Sequence, residues 1–336
     1  MAIQTGAGDV ANTRPLRIGI LGAAKIAPGG LIDPAKTSAD VVVAAVAARD
    51  PARAAAFADT HGIAQVCDSY EALIAHPELD AIYNALPPSR HADLTIAALR
   101  AGKHVLCEKP FAMNASEARA MVSAATSSGK LLMEAFHYRY HPLFADVLAK
   151  VRSGTLGRLT SIAATFVVSV PPRDGELRYD ATLGGGCLMD MGTYCVHWCR
   201  SVAGREPTVT AAGSLMGATG VDLHTRATLD FGDGLNASVD CGMDAPFSAR
   251  LIIGGTAGTL TVENPLAPHA GNLMRLELTG AEPVTQRFDR SISTYSHQLQ
   301  AFVDAVRTGV APPTSGEDSV AQMAALEAIA RVARHS

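Results

Sequence analysis

Aromatic side chains are scarce in this chain, at 5% of 336 residues with a single tryptophan, Trp198. A row of tryptophans on which a sugar could stack is therefore not legible. Charge of one sign is also lacking. Twenty-eight Lys and Arg stand against 32 Asp and Glu, a net of -4, with an isoelectric point near 6.2. That balance argues against a general nucleic-acid surface. No apolar run reaches membrane-spanning length. The first fifteen residues, MAIQTGAGDVANTRP, lack the basic and apolar regions of a signal peptide and read as a disordered tail.

Disulfide spacing is missing too. Cys67, Cys107, Cys187, Cys195, Cys199 and Cys241 are scattered, which suits a reducing cytoplasm, the expected location. Cys195, His197 and Cys199 invite a zinc reading. On a helix, however, the two cysteines lie one turn apart, His197 points elsewhere, and no second ligand pair follows at usual spacing. Buried thiols and no metal are expected. What remains, 48% hydrophobic and 18% charged over a length sufficient for two domains, is the composition of a globular protein with a sizeable core.

Residues 16–22, LRIGILG, read as an apolar strand entering the turn Gly22-Ala23-Ala24-Lys25-Ile26-Ala27. A dinucleotide turn of the form G-x-G-x-x-G/A needs small residues for its tight bend, for pyrophosphate approach and for helix packing. Gly22, Ala24 and Ala27 fill those positions, so one glycine of the usual pair is absent. A second strand, 41–48, follows at βαβ spacing and ends Ala47-Ala48-Arg49-Asp50, with Arg53 close behind. An arginine fork suits a ribose 2′-phosphate, which favours NADP. Asp50 keeps NAD open, and Arg53 also reads as part of a solvated helix face.

The alternation continues with a helix at 52–60, a short strand at 65–67, a helix opened by Ser69, and a strand at 80–86 ending in Pro87-Pro88. A helix at 91–101 closes on Gly102. A strand at 104–107, a helix capped by Ser116 and a strand at 130–135 follow. This is the pattern of a doubly wound parallel sheet. From 159 onward strands dominate, at 160–170, 209–215, 225–231, 236–241, 251–253 and 259–262, with Asp233-Gly234 as a hairpin turn. Runs at 273–278 and 284–288 extend that sheet. Closing helices near 295–308 and 317–334 are expected to pack back toward the first domain. The expected units are thus a tail (1–15), a cofactor domain (16–138) and a substrate and oligomerisation domain (139–336).

The segment Gly102 to Pro110, GKHVLCEKP, stands out. Proline lacks an N–H and pushes its predecessor out of helical geometry, so Lys109 sits at a strand's carboxyl end. Ligands of open α/β sheets bind just outside such ends. The other reading is an ordinary strand-end lysine. Further on, Gly184-Gly185-Gly186 precedes a helical run, 187–202, on which Asp190 and Tyr194 share a face with His197 near it. These three also read plainly as a helix-dipole charge, a core aromatic and a buried histidine.

GILGAAKIA, ALPPSRH, AGKHVLCEKP, MEAFHYRYHP and GGGCLMDMGTYCVH occur in this order over residues 16–200. In these motifs the chain resembles the glucose–fructose oxidoreductase/inositol dehydrogenase (Gfo/Idh/MocA) family. It is most similar to the branch of dimeric trans-dihydrodiol dehydrogenases and NADP-dependent D-xylose dehydrogenases. The resemblance implies a Rossmann domain followed by an α+β domain with a large, mostly antiparallel open sheet, in a homodimer or homotetramer. It implies that Leu86, Pro87, Pro88 and His91 flank the cofactor, with Glu108 and Lys109 at its nicotinamide end, and that the Lys109–Pro110 bond is cis. Many members carry Asp-x-x-x-His together with the lysine of Glu-Lys-Pro; here Tyr194 stands at the histidine position, as in that branch. His137 stands where relatives often have an apolar residue.

The expected activity is hydride transfer between nicotinamide and a carbinol carbon of a sugar, cyclic polyol or trans-diol. Tyr194 is expected as the acid/base, Lys109 as the cation that lowers its pKa and holds the substrate oxygen, and Asp190 as acceptor for a substrate hydroxyl. The exchange of roles between Lys109 and Tyr194 stays open. Arg139, His141, Arg178 and His197 are further candidates for the substrate; Arg139 and His141 read equally as ties between the domains. The competing classes are a non-catalytic NADP sensor and a redox-neutral glycosidase that holds NAD.

Overall fold

The computed structural model describes residues 14–334. Short apolar runs between glycines, prolines and polar caps settle into six parallel strands. They are β1 (Leu16–Leu21), β2 (Val41–Ala47), β3 (Gln65–Val66), β4 (Ala81–Asn84), β5 (His104–Cys107) and β6 (Leu132–Glu134). Their order, β3-β2-β1-β4-β5-β6, reverses direction between β1 and β4. Ligands of doubly wound sheets sit in the crevice at that switch point, outside the strands' carboxyl ends. Helices cover both faces, so β4 is buried throughout and can be continuously apolar.

The caps show why the helices begin where they do. Asp50 accepts from the N–H groups of Ala52 and Arg53 at the head of helix Pro51–His61, and Ser69 from Ala72. Asn114, not the expected Ser116, caps helix Ala115–Ser128. Its Oδ1 accepts from Glu117 N at 2.8 Å while Glu117 accepts from Met113 N at 3.0 Å. This reciprocal Asn-x-x-Glu pair resembles a capping box shifted by one residue, and it outcompetes a serine two residues inside the helix.

The second sheet comprises β7 (Leu159–Val167), β8 (Thr208–Met216), β9 (Asp222–Asp230), β10 (Asn236–Gly242), β11 (Ser248–Gly255), β12 (Gly258–Glu263), β13 (Leu273–Leu278) and β14 (Val284–Gln286). The order is β14-β13-β12-β11-β7-β10-β9-β8, antiparallel except where β10 runs parallel to β7. Asp233 and Gly234 take left-handed φ angles of 51° and 77° in the β9–β10 turn. The strand expected at 251–253 is longer at both ends. Ala249, Leu251 and Ile253 alternate inward, but Ser248 and the Gly254-Gly255 pair hide the period in the sequence.

Helix Thr193–Ala203 packs on β7 and β10, and helix Glu317–Ala333 lies against it, against β8 and against helix Ala115–Ser128. Helix Thr294–Thr308 packs on the 28–36 segment beside β1 and on the turn His137–Tyr140. The chain between the sheets is thus clamped from both sides. Phe136 and Tyr138 are fully buried there; Phe136 stacks on His197 at 4.0 Å, and Tyr138 meets Phe144 edge-on at 4.7 Å. The expected tail lies outside the described residues as far as residue 13. Arg14, placed with it, makes two 2.7 Å bonds to Asp80. Among the described residues no helix is long and apolar enough to cross a membrane.

Emptying the Phe136 site should cost about 3–5 kcal/mol, the usual range for a buried phenylalanine changed to alanine. Urea unfolding of Phe136→Ala measures it; a loss below about 1 kcal/mol would show that the ring does not hold the junction.

Candidate active site

β1 delivers the chain into Gly22, whose φ of +95° is open only to glycine at low cost. A Cβ there would also stand 2.9 Å from the Leu86 side chain. The N–H groups of Ala23, Ala24, Lys25 and Ile26 meet no acceptor among the described residues, and the helical segment starting at Pro28 follows at once. Unspent backbone donors at a strand-to-helix turn form a concavity for an anion. Arg53 donates to the Ala23 carbonyl at 2.8 Å, laying its guanidinium over this turn. Arg49 is exposed, its backbone N–H taken by the Tyr70 hydroxyl at 3.1 Å. Asp50 spends Oδ1 on its own helix, at 2.9 Å and 3.3 Å. The turn therefore fits a dinucleotide pyrophosphate, with the Arg53 guanidinium over it and exposed Arg49 and Asp50 at the end of β2.

Asn84 at the end of β4 fixes the loop Leu86-Pro87-Pro88, its Oδ1 accepting from Leu86 N at 3.3 Å. These three residues are half-buried beside the Gly22 turn. His91 is fully buried, its Nδ1 2.9 Å from the Pro110 carbonyl and its Nε2 2.8 Å from the Leu86 carbonyl. Neutral in its buried site, the ring donates to one carbonyl and lies against the other, bridging the loop after β4 to the one after β5.

At the end of β5, Glu108 is buried and accepts from the Tyr83 hydroxyl at 2.6 Å. Burial raises its pKa, while Tyr83 and Lys109 pull it back. The Lys109–Pro110 bond is cis. Lys109 Nζ donates to Asp190 Oδ1 at 2.6 Å and to the Asp190 carbonyl at 2.9 Å. Arg178 Nε donates to the other carboxylate oxygen at 2.5 Å, and its Nη1 to Glu176 at 2.8 Å. Asp190 sits in a π turn, Leu188–Gly192, that leads into helix Thr193–Ala203. The triple glycine brings Arg178 to it. A Cβ on Gly185 would lie 2.7–2.8 Å from the carbonyl oxygens of Leu177, Arg178 and Asp180, so that loop closes down only on a glycine.

Burial raises the Asp190 pKa, but Lys109 and Arg178 outweigh it and hold the carboxyl at about 2. Tyr194 behaves otherwise than expected. Its phenol is pushed well above the usual value, first by burial and then by neighbouring Tyr295, Glu108 and Asp190. Burial wins although the Lys109 ammonium, engaged by Asp190, stands over the Tyr194 ring, 4.9 Å from the centroid. The Tyr194 hydroxyl instead meets His137 Nε2 at 3.2 Å. Burial, Lys109 and His269 push the His137 imidazole down to about 3, so it is neutral.

Three other candidates stay out of the cleft. His197 is 1% exposed, held by the Tyr138 hydroxyl at 2.6 Å and Asp318 at 3.1 Å. His141 is buried and caps helix Pro142–Arg152, accepting from Leu143 N at 3.1 Å. Arg139 lies over the Phe144 ring, 5.7 Å from its centroid. Of the four proposed substrate contacts, only Arg178 reaches the Lys109–Asp190 cluster. Sequence reasoning missed Glu176 and Tyr295. The Tyr295 ring packs at a tilt on His137, with centroids 4.0 Å apart, and its phenol senses the charges of Glu108 and Asp190. A tyrosine opening a distant amphipathic helix carries no local mark of this.

Two family models match the chain: the GFO_IDH_MocA oxidoreductase family with NAD-binding Rossmann fold over residues 16–136, and the GFO/IDH/MocA C-terminal domain over residues 144–261. A D-xylose 1-dehydrogenase (NADP(+)) of Haloferax volcanii is 38% identical over 317 residues, covering 94% of this chain and 96% of that one. The trans-1,2-dihydrobenzene-1,2-diol dehydrogenase of Sus scrofa is 35% identical over 226 residues, 66% of each chain. A 3-ketoreductase from Actinomadura kijaniata, solved with NADP and TDP-benzene, superposes with a TM-score of 0.88 at 29% identity, over 95% of this chain and 98% of that one.

Because the folded pKa of Asp190 lies below its ordinary 3.8, its contribution to stability is present above that value and is lost as pH falls toward 2. Asp190→Asn should therefore be less stable than the parent at neutral pH by roughly 2 kcal/mol, with the gap closing between about pH 4 and pH 2. Urea unfolding of both proteins across that range reads it; a gap that is constant with pH would contradict the ion-pair account.

Proposed function

The chain belongs to the Gfo/Idh/MocA oxidoreductase family, and from that premise we propose that it is an NADP-dependent dehydrogenase. It moves a hydride between the nicotinamide and a carbinol carbon of a sugar, cyclic polyol or diol. The observation that carries this is the cluster of Lys109, Asp190 and Tyr194 at the carboxyl end of the parallel sheet, beside the Gly22 turn. When bound, NADP supplies the two-electron acceptor that no side chain here provides.

The turn from Gly22 to Ile26 binds pyrophosphate through backbone N–H groups. Arg49 and Arg53 take the ribose 2′-phosphate. The preference over NAD rests on these arginines and on the NADP-dependent relatives. Leu86, Pro87 and Pro88 line the path inward, and Glu108, anchored by Tyr83, closes its inner end. Lys109 donates to the substrate oxygen, drawing on an ammonium already oriented by Asp190. Asp190 and Arg178 receive neighbouring substrate hydroxyls. Tyr194 exchanges the proton of the reacting oxygen. As a neutral phenol it is prepared to give a proton to a carbonyl, which favours a second reading of the same site, reduction of a ketosugar.

Residues 16–138 are assigned to the cofactor and the chain from 139 onward to substrate and oligomerisation. Exposed Leu215, Met216 and Val284 on edge strands β8 and β14 support a homodimer or homotetramer through the second sheet. The six free thiols favour a reducing cytoplasm.

The test crosses NADP and NAD with aldopyranoses, inositols and trans-diols and follows nicotinamide absorbance. Turnover with NADP is expected, and Tyr194→Phe or Lys109→Ala should lower kcat about a hundredfold or more. Nearly full turnover by Tyr194→Phe would end the assignment. Tight NADP binding with no reduction across the panel would transfer weight to the sensor or redox-neutral classes.

A further inference from the structure

We propose that His137, Thr294 and His269 form a proton path from the Tyr194 hydroxyl to the surface, with His137 the positioning residue that receives the tyrosine's proton. This rests on the reading of Tyr194 as the acid/base group and says where its proton goes.

The path is drawn by four polar groups in sequence. Tyr194 Oη lies 3.2 Å from His137 Nε2, and His137 Nδ1 lies 2.8 Å from Thr294 Oγ1. Thr294 Oγ1 lies 3.4 Å from His269 Nδ1, the longest link. The Thr294 backbone N–H also donates to that Nδ1, at 3.4 Å. His269 Nδ1 is therefore an acceptor, and the proton of its neutral ring sits on Nε2. The Thr294 hydroxyl then points its hydrogen at His269 and offers a lone pair to His137 Nδ1–H. His137, so oriented, presents a bare Nε2 to the tyrosine. Each hydrogen bond runs the same way.

Burial gives the path its purpose. Tyr194 and His137 are each 4% exposed and Thr294 is 0% exposed, whereas His269 is partly open to solvent. Tyr194 is a protonated phenol, so during oxidation it can take the substrate's hydroxyl proton only while releasing its own. Lys109 is a poor recipient, since its ammonium is already a donor to Asp190. The groups facing His137 are Lys109 from the loop after β5, Tyr194 from helix Thr193–Ala203, Thr294 and Tyr295 from helix Thr294–Thr308, and His269 from the turn Pro268–Ala270. Among the described residues no carboxylate bonds to the ring to charge it, so it is held neutral and able to accept.

The protons balance. The substrate O–H proton passes to Tyr194 Oη and the phenol proton to His137 Nε2. The Nδ1 proton passes to Thr294 Oγ1, the hydroxyl proton to His269 Nδ1, and the His269 Nε2 proton to water. One proton leaves, every group keeps its count, and the hydride goes to NADP. The two rings finish in their other tautomers, the arrangement from which the reverse passage serves reduction.

The experiment has two arms. In the first, kcat, KM and their pH profiles are compared for the parent, Thr294→Val and His269→Ala with NADP and the best substrate of the panel, with and without added imidazole. Thr294→Val should lower kcat by about tenfold with KM little changed, a smaller loss than removal of the acid/base itself. Imidazole should restore His269→Ala. Parental kcat and pH profile in both variants would overturn the path. In the second arm, ¹⁵N NMR of the histidines in the unliganded protein needs no turnover. His137 should be neutral at pH 7, its Nε2 resonance moving in Tyr194→Phe and its Nδ1 resonance in Thr294→Val. A His137 protonated at pH 7, or one indifferent to both changes, would overturn the path even where the proposed activity stands. A protein that turns over no substrate removes the proposed function, while the resonances still decide the path.

Discussion

The contact between Lys109 and Asp190 joins the end of one sheet to the helix that covers the other, and the cleft takes its shape from it. Both side chains are mostly withdrawn from water, at 14% and 23% exposure. Removing two charges from solvent costs several kcal/mol, and a single pair seldom recovers that. Here Asp190 is held on both oxygens, and Arg178 is balanced in turn by Glu176. With the exposed Arg173, which also holds Glu176 at 2.6 Å, the set is closed by surface charge. Such a set orients a lysine without burying net charge, and it offers donors and acceptors on which the hydroxyl groups of a polar substrate can be read.

Much of this was legible because it is local. A proline fixes Lys109 at a strand end, and a four-residue spacing puts Asp190 and Tyr194 on one helix face. The strand alternation revealed the first sheet, and the family motifs brought the rest of the expected architecture. His197 shows where the reading fails. From Thr193 to Arg200 every residue of its helix is buried, so no polar face marks which side meets the cleft. His197 turns to Tyr138 and Asp318, and Asp318 lies on a helix more than a hundred residues away. The bridging position of His91 was hidden for a related reason: its partners are carbonyl oxygens, which leave no mark in a sequence. Glu176, Thr294 and Tyr295 join the cleft through loop closure and helix packing that no spacing rule reaches.

Tyr194 illustrates how environment overrides residue type. Proximity to a lysine suggests a lowered phenol pKa, yet distance alone does not settle it, because the same ammonium is bound by a carboxylate. With Lys109 committed to Asp190, burial dominates and the phenol keeps its proton. The oxidised nicotinamide would add a cation to that balance. The proton chemistry of the cleft therefore depends on what Tyr194 is bonded to, and in this chain that is a histidine.

The most direct measurement of the central claim uses aldoses deuterated at the anomeric carbon, incubated with the protein and NADP, with the label followed by NMR. The account predicts deuterium at C4 of the reduced nicotinamide, one per sugar oxidised. Sugar converted with no label in the nucleotide would contradict hydride transfer at this site.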